Sequence, residues 1–106
     1  MGADVFFTEV RGGSAREAFV EAVRQASYEY GVSGYTGTIA EKNGVGFVRI
    51  AVPDGEDPHV FAGQLIDEQD ERVDDKWGPA GCIRVDDGSN DKRGRPLFLF
   101  FGWASS

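Results

Sequence analysis

The run "LFLFFGW", residues 97–103, constrains the fold of this chain more than any other stretch. Residues of a strand point alternately to opposite faces of a sheet. Seven apolar residues in succession therefore predict an interior strand that must be covered on both sides. A second such run, "DVFFTEV" at 4–10, also reads as an interior strand. A chain of 106 residues, 41 % of them apolar, suffices for one domain with a core, spanning residues 1–106. A second copy of the chain is one candidate cover for a strand as apolar as 97–103, so a homodimer stays open.

Between these runs lie two helical patterns. Ser14 stands three residues before Glu17, which is a capping box. Ala15, Ala18, Phe19, Ala22, Val23, Ala26 and Tyr30 follow at helical spacing, and Gly31 stands where a left-handed C-cap belongs. The spacing predicts a helix over 15–30, with Glu17, Glu21, Arg24 and Tyr28 on its polar face. Asp57-Pro58 is an N-cap and first-turn pair. Phe61, Ala62, Leu65, Ile66, Gln69 and Val73 then share one face of a second helix, expected to run to Asp75. Asp67, Glu71 and Asp74 take the opposite face, with Glu68, Asp70 and Asp75 on its flanks. Acids at a helix C-terminus oppose the macrodipole, and Arg72 and Lys76 are placed to offset them.

"GYTGTIAEKNGVGFVRI", residues 34–50, is glycine-rich. A phosphate loop needs its glycines between a strand and a helix N-terminus. Here they lie between two strand-like runs, and Asn43-Gly44 is a type I′ turn signal. A β-hairpin is expected, with Val48, Ile50 and Val52 alternating with Phe47, Arg49 and Ala51. Gly37 and Gly46 would mark bulges or close approaches. "CIRVD" at 82–86 reads as a strand with Ile83 and Val85 on one face, and 87–96 as a polar loop. The resulting order is β-α-β-β-α-β-β. It predicts an α+β, two-layer domain: a mostly antiparallel sheet of about five strands with both helices on one face, matching the ferredoxin-like element order with an extra strand.

Charge is unevenly spread. The net charge is −7, and residues 54–75 hold nine acids against one base, Arg72. The basic stripe of a nucleic-acid binder is absent, so no direct nucleic-acid contact is expected. The one basic cluster is Lys92, Arg93 and Arg95. No apolar run has the length of a membrane span. The N-terminus lacks a secretory pattern, and Phe6 breaks the myristoylation motif. With one cysteine and one histidine, no internal disulfide and no Cys/His zinc cage can form within one chain, and a cytosolic setting is expected.

Little points to catalysis, and the reading is not an enzyme, with no cofactor and no metal. His59 lies beside Asp57 and Glu56 in a first helical turn, where a general base is conceivable. No nucleophile is placed next to it by sequence, so a surface histidine is expected. Cys82, opening a strand, reads as a small buried hydrophobe. "DDGSNDKRG" has acids at the wrong spacing for a calcium loop and no closing Glu. The carboxylates of 67–75 point outward without a pocket. Trp77 is assigned to the core, with an anchoring role as the alternative.

Three stretches, "GYTGTIAEK", "DKWGPAG" and "FFGWASS", resemble short proteins encoded by bacteriophages and prophages. The resemblance implies a small cytoplasmic protein of the infected host. It further implies an inhibitor of a host or defence protein, such as an anti-CRISPR or other counter-defence factor. On that expectation Asp67, Glu71 and Asp74 dock on a basic partner surface, with Tyr28 as anchor. The alternative is a small-ligand or nucleotide-sponge module using the hairpin glycines with Lys92, Arg93 and Arg95. An enzyme of unknown type is the third reading.

Overall fold

The computed structural model describes residues 2–31, 36–85 and 94–106. The fold is α+β. Strand β1 (Ala3–Arg11) leads to helix α1 (Ala15–Tyr30), a 3-10 turn (Ile39–Lys42) and the short strand β2 (Phe47–Arg49). Helix α2 (Pro58–Asp67) and the strands β3 (Ala80–Val85) and β4 (Leu97–Ser105) follow. The sheet has four strands in the order β1-β4-β3-β2. β4 is antiparallel to both β1 and β3, and β2 is parallel to β3.

The two apolar faces of β4 are both covered from within the chain, but not as expected. Phe98, Phe100 and Ala104 face Ala18, Phe19, Ala22 and Val23 of α1. Leu99 and Phe101 face Ala62, Leu65 and Ile66 of α2. The helices therefore sit on opposite faces of the sheet, and the domain has three layers instead of two. The reason is in β4 itself, since a strand apolar on both sides leaves each face requiring its own cover. Gly81 serves this packing: a Cβ there would lie 2.7 Å from the Phe101 ring and 2.9 Å from Val73.

Helix α1 starts and stops where its sequence signals lie. Ser14 Oγ accepts from the Glu17 amide at 3.2 Å, and Glu17 Oε2 accepts from the Gly13 amide at 3.1 Å. Gly31 ends the helix at φ 87°, with an extended ψ in place of the left-handed cap. Tyr30, expected on the apolar stripe, is exposed.

The expected hairpin does not form. Asn43 is right-handed helical (φ −54°, ψ −38°), which no type I′ turn allows. Residues 39–42 wind into a 3-10 turn capped by the Thr38 hydroxyl, which accepts from the Ala40 amide at 3.2 Å. The β-β element order is lost with it, and with it the ferredoxin-like order. Beyond the turn, the alternation reads correctly: Phe47 packs on the α1 side, and Val48, Ile50 and Val52 on the α2 side.

Helix α2 also ends eight residues early. Gln69 adopts φ 55°. Its amide donates to Ile66 O at 3.1 Å and that of Asp70 to Leu65 O at 3.0 Å. These bonds form a Schellman stop with glutamine where glycine is usual. Val73 is buried, as its helical phase suggested, but a turn delivers it: the Val73 amide donates to Asp70 O at 3.0 Å.

Candidate functional site

The acidic segment is thus a helix end followed by two turns. At the start of α2, Asp57 Oδ1 accepts from the amides of His59 and Val60 at 2.8 and 3.1 Å. Beyond the Schellman stop, Asp70 holds Arg72 through two side-chain bonds, Oδ1 to Nε at 2.9 Å and Oδ2 to Nη2 at 3.0 Å. That guanidinium brings the Asp70 carboxyl down to about 2. Asp70 and Arg72 neutralise one another locally. Asp67, Glu68, Glu71, Asp74 and Asp75 remain exposed.

The second of these turns, 75–78, is fixed by a lysine from the middle of the chain. Lys42 is completely buried. Its Nζ donates to three backbone carbonyls: Gly78 at 2.7 Å, Lys76 at 3.1 Å and Asp75 at 3.4 Å. Burial pushes its pKa down, opposed by the charges of Asp75 and Glu41. An ammonium has three protons to donate, and here three carbonyls receive them. From the outside, the Trp77 amide donates to Asp75 Oδ1 at 2.9 Å and the Gly78 amide to Asp75 O at 2.9 Å. Trp77 is held with its side chain in solvent, 58 % exposed, and Lys76 Nζ lies 5.4 Å from its ring centre. The core assignment for Trp77 is thereby corrected. Its neighbours, a lysine and a Gly-Pro pair, were the available signal for a turn.

The same corner unites the three stretches that carry the resemblance. Lys42 of the first binds the carbonyls of the second. Ser105 of the third accepts from the Gly37 amide at 2.8 Å through its carbonyl and donates to Glu41 Oε1 at 3.4 Å through its hydroxyl. Glu41 Oε2 also accepts from the amide and hydroxyl of Thr36, at 3.1 and 2.8 Å. No sequence signal marks Lys42, because its partners lie more than thirty positions away.

The predicted site residues are partly separated. Asp67 is the last residue of α2, whereas Glu71 and Asp74 belong to the turns, so no single helix face carries all three. Tyr28 is 90 % exposed but sits on α1, across the sheet from α2. Lys92 and Arg93 lie outside the described residues. Arg95 lines a 560 Å³ cavity with Arg11, Glu9, Glu17 and Glu21. Gly44 and Gly46 line a different groove, of 640 Å³, with Phe19, Val20 and Val45.

His59 is exposed, as expected, yet not idle. Its Nε2 lies 2.6 Å from Glu9 Oε1 of β1, and that bond raises its pKa. Cys82 is buried among apolar side chains, which push its thiol up to about 11. It is the inert packing residue expected. Among the described residues no group of three His, Cys, Asp or Glu is placed to hold a metal ion, and no helix is long and apolar enough to cross a membrane. Neither protein-family models, nor curated proteins, nor solved structures match the chain.

Proposed function

We propose that this protein is a non-enzymatic interaction module that docks on a basic surface of a host or defence-system protein through the segment 67–78. The observation that carries the reading is that this acidic segment is held at both ends, by the Schellman stop of α2 and by Lys42 at 75–78. Exposed carboxylates on a loose loop lose entropy on binding, whereas those on a segment held at both ends lose less. Asp67, Glu71 and Asp74 supply charge that steers a basic partner and sets its register. Trp77, exposed beside them, supplies the aromatic anchor in place of Tyr28, since large aromatics dominate binding energy at interfaces. A partner groove built to hold nucleic acid has the matching charge, which suits a counter-defence role in an infected cytoplasm.

The test is an affinity capture from bacterial lysate, read by mass spectrometry, with three baits: wild type, Asp67→Lys/Glu71→Lys/Asp74→Lys, and Trp77→Ala. A host protein held by the wild type and lost by both variants supports the reading. A partner held equally by all three baits refutes the assignment of the site to 67–78.

A further inference from the structure

A second surface lies at the outer edge of β1. The Gly2 and Ser106 backbones exchange both of their hydrogen bonds at 3.1 Å, and the Gly12 amide donates to Pro96 O at 3.2 Å. Antiparallel pairs alternate between bonded and non-bonded. In the observed register, Asp4, Phe6, Thr8 and Val10 therefore turn their backbone groups to β4, while Val5, Phe7 and Glu9 turn theirs outward. These outward groups have no backbone partner among the described residues. The edge carries no proline, and its strand is nine residues long. Natural edges of this kind are normally blunted or covered, because they template another strand.

Two features of the surroundings say what fits. On the α1 side, Glu17, Glu21, Gln25 and Glu29 follow one another at four-residue spacing and form a ridge along the edge. Gln25 lines both cavities beneath it, with Glu17 and Glu21 in one and Glu29 in the other. On the α2 side, Phe7 is 51 % exposed and stacks on Phe101 with ring centres 6.4 Å apart. A strand added to β1 alternates its side chains between these two sides. Those beside the ridge meet the carboxylates of Glu17, Glu21 and Glu29, and those on the other side meet an open aromatic ring. Glu21 is shared with Arg24 at 2.6 Å, and Arg11 and Arg95 line the cavity at the Glu17 end.

We propose that the β1 edge binds an extended segment of a partner polypeptide in which basic and apolar residues alternate, adding a fifth strand to the sheet. Main-chain bonds to Val5, Phe7 and Glu9 supply general affinity, and the alternation supplies specificity. The ridge disfavours a second copy of this chain in the same place, because two-fold pairing of β1 with itself brings two acidic ridges together. The surface uses none of the side chains of Asp67, Glu71, Asp74 or Trp77, although Lys76 Nζ donates to Gly2 O at 3.4 Å just before β1, so variants of those four residues test the two apart.

The probe is a synthetic nonapeptide alternating lysine with valine or phenylalanine. Its control has the same composition with the lysines in one block. Binding is read by fluorescence anisotropy, and the site by amide hydrogen exchange. The alternating peptide is expected to bind at least about tenfold more tightly than the control. It is expected to slow exchange at Val5, Phe7 and Glu9 far more than at Phe6 and Thr8, which already bond to β4. Glu21→Lys/Glu29→Lys, which also removes the Glu21–Arg24 pair and is checked for an unchanged urea midpoint, is expected to weaken binding about tenfold. Asp67→Lys/Glu71→Lys/Asp74→Lys leaves it unchanged. Equal binding of the two peptides overturns the proposal. So does protection that falls on residues 67–78, or binding insensitive to the Glu21/Glu29 change. Slow exchange at Val5, Phe7 and Glu9 without peptide, in a species that sediments as a dimer, overturns it in favour of a second copy.

Discussion

The two faces of the sheet are closed by different means. On one, α1 lays sixteen residues over Phe98 and Phe100, with both of its ends marked by residues within the helix or beside it. On the other, α2 lays down only ten, and the turn carrying Val73 completes the cover over Phe101. The next turn, 75–78, is held by Lys42, more than thirty residues away in sequence. A face closed by a helix depends on local signals and side-chain volume. A face closed by a turn depends on a long-range polar contact, and it has less to fall back on when that contact is removed.

The comparison can be broken first at its aromatic layer. Phe100→Ala removes a fully buried ring from the α1 face and is expected to cost about 3–5 kcal/mol by urea unfolding. Lys42→Ala should cost about 3 kcal/mol, because three carbonyls lose a charged donor in a buried site. Its distinguishing mark is local: hydrogen exchange should quicken in 71–78 well before α1 is affected. Uniform acceleration across both faces would show that the turn and α1 are one cooperative unit.

Gly81→Ala sharpens the same contrast from the packing side. The added methyl meets Phe101 and Val73 at under 3 Å, so an overpacking cost of about 1–3 kcal/mol is expected, confined to the α2 face. A null effect would mean that the Val73 turn moves aside freely. Ser14→Ala is expected to cost about 1 kcal/mol, the usual value of an N-cap, and to fray only the first turn of α1.

The smallest effect concerns pH. His59 gains a partner in the folded state, Glu9, which raises its pKa above the unfolded value. The stabilisation is therefore fully present below the unfolded pKa and is lost as pH rises through the folded one. Urea midpoints should fall slightly from about pH 6 to about pH 8. The fall should shrink in Glu9→Gln, with Asp57 still favouring the charged ring, and vanish in His59→Gln; a slope that survives the second change belongs to another group.

Much of this was legible before any coordinates. Helix α1, the start of α2, the strands β1, β3 and β4, the alternation of 47–52 and the inert Cys82 all follow from signals confined to a few residues. Two misreadings stand out. Asn43-Gly44 suggested a hairpin where the chain winds into a 3-10 turn that ends in the buried Lys42, and the apolar period through Val73 suggested a longer α2 where Gln69 takes a left-handed stop. The sequence did contain a warning about α2, since acids at 68–75 sit poorly on a helix C-terminus. It held no comparable warning about Lys42.

By itself, the sequence determined that β4 must be covered on both faces, that α1 forms with its N-cap, and that acidity gathers in one segment. Only the tertiary structure decided that the covers lie on opposite sides of the sheet and that the acidic segment ends in a pinned turn. It also decided that Trp77 points to solvent while Lys42 does not. The physical reason is range. Caps and periodicity act over three or four residues and can be read along the chain, whereas an ammonium reaching three distant carbonyls exists only once the chain has closed around it.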